Sequence, residues 1–206
     1  MIAAEFTERL PALRLTAGSS VQAHELDGSE LLIVDDGLVV LRSAVPGSAR
    51  RAITCHAGRG AFVLPPSEGE SLVALTDATV LTISGETRDR LLESPRDARL
   101  LVDGLAESLQ RKHAALASLA RLHHVDRVRE KLMELAREHG RVGREGIRLD
   151  FPLTHDLLGE MTGSARETVT RALDELQREG FVVRQGRSYS LRVSPEELGR
   201  NGFATL

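Results

Sequence analysis

Apolar residues in the first ninety positions come in short runs, "LLIV", "LVVLRS", "RAITC", "SLVALT" and "TVLTIS". Turn material separates them at Asp35-Asp36-Gly37, Pro46-Gly47-Ser48, Gly58-Arg59-Gly60 and Pro65-Pro66. Runs of this length and spacing predict the strands of a small antiparallel sandwich or barrel. The period changes near Pro95. From about 96 to 124 the chain has no Pro and no Gly beyond Gly104, which predicts one long helix. On it Val102, Leu105, Leu109, Lys112, Leu116, Leu119 and His123 alternate at spacings of three and four, an a/d seam with Lys112 and His123 as its polar interruptions. Two readings are open: the helix lies against its own β-domain, or it pairs with a second copy as a two-stranded coiled coil. Its length favours the second, because such a helix outreaches a β-domain of this size.

Val125-Asp126 reads as a joint. Asp126 is placed to cap a further helix, "RVREKLMELAREHG", whose Val128, Leu132 and Leu135 share one face and whose Gly140 ends it. A Gly- and Arg-rich connector, "GRVGREG", leads to a short strand "IRLDF". Two short helices follow, then "FVVRQGRSYSLRV", two strands joined at Gln185-Gly186. Helix, strand, helix, helix, hairpin is the order of a winged helix-turn-helix.

Within "LTHDLLGEMTGSARETVTRALDELQREGF", Thr154 is placed to cap the first helix and Leu157, Leu158 and Met161 form its inner face. Gly163 permits a tight turn into the second helix, whose inner positions are Val169, Ala172, Leu173 and Leu176. That leaves Arg166, Glu167, Thr170 and Arg171 on or near the outer face at the amino-terminal end, the end that enters a major groove. Arginine there can fork to guanine O6 and N7, and glutamate can accept from the cytosine amino group. The plainer alternative is a solvated helix carrying an i,i+4 Glu167–Arg171 pair. The preceding helix, the Gly turn and the hairpin favour the DNA reading.

The stretch "GSARETVTRAL" resembles the recognition-helix motif of the cyclic-AMP receptor protein and fumarate–nitrate regulator (Crp/Fnr) family, in which an Arg-Glu-Thr-Val-x-Arg run reads DNA. The resemblance covers essentially the whole chain, since a β-roll sensor, a long dimerisation helix, a hinge and a winged helix follow in the same order. It implies an α+β fold with a β-roll over residues 1–94, a dimerisation helix over 95–125 and a winged helix-turn-helix over 126–206. It also implies that Arg166, Glu167 and Arg171 read bases. Thr154, His155, Ser164, Thr170 and, in the wing turn, Arg187 are the phosphate contacts it suggests. Val102, Leu105, Leu109, Leu116 and Leu119 would hold the dimer. The chain departs from the motif at Ala165, where members often carry a capping Ser or Thr, and Ser164 is the expected substitute.

The sensor half departs further. Nucleotide-binding members of the family use a short helix with free N–H groups, a Gly-Glu pair and an Arg-Ser/Thr pair. The corresponding stretch here, "GRGAFVLPPSEGESLVALTDATV", is shortened and lacks the arginine. Between Arg59 and Arg88 there is no Lys or Arg, while Glu68, Glu70, Asp77 and Glu86 are present. A cyclic phosphodiester would meet repulsion there.

Composition and charge add exclusions. The net charge is −3, with 13 basic and 16 acidic residues in 1–125 and 14 of each in 126–206, so any DNA-binding surface has to be built by position rather than by overall basicity. No apolar run approaches a membrane span, and the N-terminus lacks a signal-peptide pattern, which implies a cytoplasmic protein. The lone Cys55 excludes an internal disulfide and reads as core rather than as a redox pair with His56. His123-His124 reads as an ordinary helix-end pair. Dinucleotide-binding and cupin-type metal patterns are absent, so no catalytic residue, metal site or cofactor is expected, although one histidine suffices for haem. The effector is left unidentified. The resulting expectation is a homodimeric, cyclic-AMP-independent DNA-binding regulator of inverted-repeat sites, not an enzyme, which contacts RNA polymerase if it is an activator. The alternative is a signalling module whose winged helix contacts protein.

Overall fold

The computed structural model describes residues 10–119, 123–143, 146–186 and 188–200. The chain divides into two compact units, residues 1–115 and 116–206.

The first unit contains strands β1 (Ala12–Leu15), β2 (Ser20–Gln22), β3 (Ser29–Asp36), β4 (Val39–Ala44), β5 (Arg51–Ala57), β6 (Phe62–Val63), β7 (Glu70–Ala74) and β8 (Ala78–Ser84). They form two four-stranded antiparallel sheets, ordered β1-β8-β3-β6 and β2-β7-β4-β5. The five apolar runs lie in β3, β4, β5, β7 and β8. The short β1, β2 and β6 and the 3₁₀ turn Ala23–Leu26 carried too few residues to show a period. Leu32 and Val34 of β3 join Leu41, Cys55 and Leu72 of the facing sheet in one buried cluster. The alternate residues Leu31 and Ile33 point the other way, into a cluster with Phe62, Leu81, Ile83, Leu91 and Leu101. Strand β3 is therefore apolar on both faces, because helices cover its outer one.

Those helices are α1 (Gly85–Leu92), capped by the Ser84 hydroxyl, and α2 (Pro95–Leu119). Leu101, Gly104 and Ser108 form the buried face of α2. Gly104 is required there, since a Cβ on it would lie 2.2 Å from Cδ2 of Phe62. The neighbouring face of α2 carries Val102, Leu105, Leu109 and Leu116, which are 62, 41, 55 and 65% exposed. One face of α2 thus packs on its own β-domain, as the first reading has it, while the a/d face is open to solvent. The side chain of Leu119 lies outside the described residues. The expected single helix from 96 to 124 is corrected: α2 is described to Leu119, and His123 is extended (φ −93°, ψ 131°). His123 is also the N-cap of the next helix, so Asp126 falls inside the first turn instead of capping it.

The second unit, which starts within the last turn of α2, contains that next helix, α3 (His124–His139), followed by β9 (Arg141–Gly143), β10 (Gly146–Leu149), α4 (His155–Thr162), α5 (Arg166–Arg178), β11 (Val182–Gln185), β12 (Ser188–Leu191) and α6 (Pro195–Arg200). Its antiparallel sheet runs β11-β12-β10-β9. Val128, Leu132 and Leu135 of α3, Leu158 of α4 and Val169, Leu173 and Leu176 of α5 are at most 1% exposed, so three amphipathic helices close over one core. Helix α3 packs on both α4 and α5. Among the described residues no helix is long and apolar enough to cross a membrane.

Candidate nucleic-acid interface

Thr154 ends an extended segment and caps α4, its hydroxyl oxygen accepting from the Leu157 N–H at 3.1 Å. Gly163 ends α4 in the left-handed region (φ 64°, ψ 23°) and donates its N–H to the Gly159 carbonyl, which turns the chain sharply into α5. Burial of Val169, Ala172, Leu173 and Leu176 then sets the rotation of α5 and turns Arg166, Glu167 and Arg171 to solvent. Among the described residues Glu167 and Arg171 form no ion pair. Their polar groups stand uncommitted on a rigid stem, as direct base reading requires. Arg166 Nη1 lies 3.3 Å from Asp156 Oδ2, with both side chains more than half exposed. A pair so open to water is weak and exchangeable.

The suggested phosphate contacts divide. Thr154 is exposed, and its cap uses a lone pair, so its proton remains available to an external acceptor. Ser164 is corrected on two counts. It is 4% exposed, its Oγ lies 3.2 Å from His124 Nδ1 and 3.4 Å from the Thr162 carbonyl, and it caps nothing. The N-cap of α5 is Ala165, without a side-chain bond. His155 and Thr170 have their polar atoms bonded internally: His155 Nδ1 to Thr170 Oγ1 at 2.8 Å, His155 Nε2 to the Tyr189 hydroxyl at 3.2 Å, and Thr170 Oγ1 to the Arg166 carbonyl at 3.0 Å. Arg187 lies outside the described residues.

Beside the first turns of α4 and α5 is a cleft of about 390 Å³ lined by Pro152, Thr154, His155, Asp156, Arg166, Arg184 and Tyr189. Arg184, exposed on β11 with its Nε donating to the Gly186 carbonyl at 3.1 Å, brings a second guanidinium to it. Sequence reading passed over Arg184, Asp156 and Tyr189. Arg184 lies three residues before the wing arginine that was chosen, and no local spacing distinguishes the two. The Asp156–Arg166 pair spans ten residues and a turn, which helical periodicity does not report. Burial pushes the His155 imidazole below its usual range, and Arg184 and Arg166 add to that against Asp174 and Asp156. Burial pushes the Tyr189 phenol up.

In the first unit a cleft of about 490 Å³ is lined by Ser43, Ala44, Pro46, Ser67, Glu68, Gly69 and Glu70. The Glu70 carboxylate accepts from the Ser43 hydroxyl at 2.7 Å and from the Ser67 N–H at 3.0 Å. Burial raises its pKa, but those two bonds and the charge of Lys112 outweigh burial and hold it below the ordinary value.

Residues 126–199 match the Crp-like helix-turn-helix domain. Across its length the chain is similar to the CRP-like cAMP-activated global transcriptional regulator of Mycobacterium tuberculosis, at 25% identity over 203 residues, 96% of this chain and 90% of that protein. In fold it is similar to a CRP-family transcriptional regulator from Thermus thermophilus (TM-score 0.72, 22% identity, 91% of this chain and 95% of that one). It is likewise similar to a CooA mutant from Carboxydothermus hydrogenoformans (TM-score 0.75, 18% identity, 97% and 91%). The sequence matches and the shared architecture agree with the recognition motif, and the chain belongs to the Crp/Fnr family of DNA-binding transcription regulators.

Proposed function

We propose that this chain acts as a homodimer on an inverted-repeat DNA site, that Arg166, Glu167 and Arg171 read the bases, and that binding requires no cyclic AMP. In this reading residues 1–94 form the sensor-like domain, 95–125 the dimerisation helix and 126–206 the DNA-binding domain. The observation that carries it is the exposed first turn of α5, with three uncommitted or exchangeable charged groups pointing outward. Thr154 and Arg184 supply phosphate contacts, and a dimer that activates would also touch RNA polymerase.

The exposed stripe Val102, Leu105, Leu109 and Leu116 supports the dimer, since burying each leucine against a partner contributes on the order of 1.5–3 kcal/mol. Two α5 helices related by a two-fold axis would meet half-sites about one helical turn, ~34 Å, apart. Independence from cyclic AMP is supported by the cleft at Glu70. Two acids and no cation line it, and its nearest donors already serve the protein's own carboxylate. Lys112, whose charge already acts on Glu70, is not among the cleft's lining residues, and burying a phosphodiester without a paired cation costs several kcal/mol.

The test is selection from a pool of randomised duplexes with purified protein and no added nucleotide, alongside sedimentation. An inverted repeat with a GTG-like half-site core should emerge, and the protein should sediment as a dimer at micromolar concentration. Leu109→Asp with Leu116→Asp should yield folded monomers that lose the two-fold site. A monomeric unmodified protein, or recovery of duplexes without a common sequence, would overturn the proposal.

A further inference from the structure

The wing strand β12 and the first turns of α4 and α5 are joined by a chain of polar contacts that capping does not require. It runs from the Tyr189 hydroxyl to His155 Nε2 (3.2 Å), from His155 Nδ1 to Thr170 Oγ1 (2.8 Å), and from Thr170 Oγ1 to the carbonyl of Arg166 (3.0 Å). Tyr189 is 2% exposed, and among the described residues His155 is its one side-chain partner. A buried phenol proton needs an acceptor, so Nε2 accepts. The hydroxyl of Thr170 has a single proton, which goes to the Arg166 carbonyl, and its oxygen accepts from the ring at Nδ1. Only one state of the imidazole meets both demands, the neutral form with its proton on Nδ1.

We propose that His155 is a positioning residue for base reading, a neutral Nδ1-protonated imidazole that ties the wing to the first turn of α5 and thereby fixes where Arg166 meets a base. This rests on the reading of α5 as the DNA-contacting helix. The charged groups facing the ring are Arg184 on β11, Arg166 and Asp174 on α5 and Asp156 on α4; burial and the two arginines prevail and keep the ring uncharged at neutral pH. The connection matters because Arg166 and Arg184 lie on different elements, α5 and β11, yet line one cleft. Register between them has to be held by something rigid, and β12 pairs with β11 along Val182–Gln185. Through Tyr189 and His155 that hairpin is hydrogen-bonded to α5.

Two measurements test it. Nitrogen-15 NMR of the free protein reads each imidazole tautomer directly, with the His155→Asn spectrum identifying the resonance. The Nδ1–H form is expected, and the Nε2–H form or a charged ring at neutral pH would overturn the proposal whether or not DNA is bound. The second measurement uses the best duplex recovered from the randomised pool and a scrambled version of it. Tyr189→Phe removes one hydroxyl and keeps the ring. Its preference for the selected duplex should fall by about fivefold or more, the worth of one lost hydrogen bond, while the salt slope stays that of the unmodified protein. Thr170→Val should lower the preference similarly, and in a His155→Ala background neither change should lower it further. If His155 were a phosphate contact, Tyr189→Phe would leave the preference intact and His155→Ala would flatten the salt slope by about one. A purely structural role would lower the melting temperature of Tyr189→Phe and leave the preference unchanged. Either result would overturn the positioning role while leaving DNA reading in place. A protein that prefers no duplex would remove the underlying reading as well.

Discussion

Each unit of this chain has a cleft of a few hundred cubic ångströms, and the two clefts have opposite electrostatic character. That of the second unit is lined by two arginines against one aspartate, and its one ion pair is open to water. That of the first unit is lined by two glutamates and no cation, with the donors around Glu70 already used by Glu70 itself. Anion recognition needs donors that are fixed in place and not yet consumed. In the second unit the guanidinium groups of Arg166 and Arg184 are exposed. In the first unit the Ser43 hydroxyl and the Ser67 N–H already bond the protein's own carboxylate. Two exposed guanidinium groups thus line the second cleft, whereas carboxylates line the first.

The largest effect that separates the two clefts is expected from Arg166→Ala. It should cost about 1–3 kcal/mol on the selected duplex and relax the base preference at one position of each half-site. Equal loss on all sequences would reduce Arg166 to a phosphate contact and erase its distinction from Arg184. Arg184→Ala is next. It should weaken selected and scrambled duplexes alike and flatten the dependence of log affinity on log salt by about one, as read from anisotropy titrations at several salt concentrations.

In the first unit the effect is smaller and depends on pH. The Glu70 carboxyl has a folded-state pKa below its ordinary value of 4.5. Its stabilisation is therefore complete above that value and is lost as the pH falls through the lowered one. Thermal melts of Glu70→Gln should lie below those of the unmodified protein at neutral pH, and the gap should close in acid. A gap that widens in acid would reverse the assignment. The smallest expected effect is that of cyclic AMP. Calorimetric titration of the purified protein should show no binding at micromolar nucleotide, and DNA affinity should be the same with and without it. Binding in that range would show that the first cleft accepts an anion after all, and the contrast between the two units would fail.

Periodicity made much of this molecule legible. The strands β3, β4, β5, β7 and β8, the amphipathic faces of α3, α4 and α5, the αL glycine at 163 and the cap at Thr154 all rest on interactions within a few residues. So does the outward placement of Arg166, Glu167 and Arg171, since it follows from which side of α5 is apolar. The recognition motif linked that placement to a family, which the match of residues 126–199 to the Crp-like helix-turn-helix domain bears out. The short β1, β2, β6 and β9 escaped because so few residues do not establish an alternation. Helix α1 and the break before His124 escaped because a cap or an extended residue at one position leaves little trace in composition.

What the sequence determined by itself is therefore local: the order of elements, their apolar faces, the acidic lining of residues 60–87 and the outward face of α5. Tertiary structure decided which polar atoms remain free. Ser164 looks exposed and useful as a short polar residue in a turn, yet the fold buries it against His124. His155 and Thr170 look like phosphate donors, yet Tyr189, 34 residues beyond His155, takes one side of the ring, and Thr170, 15 residues beyond it, takes the other. Arg184 lines one cleft with Arg166 only because the β11–β12 hairpin folds back beside α4. A hydrogen bond depends on distances between atoms that the chain brings together through its core, and no spacing along the sequence encodes that distance.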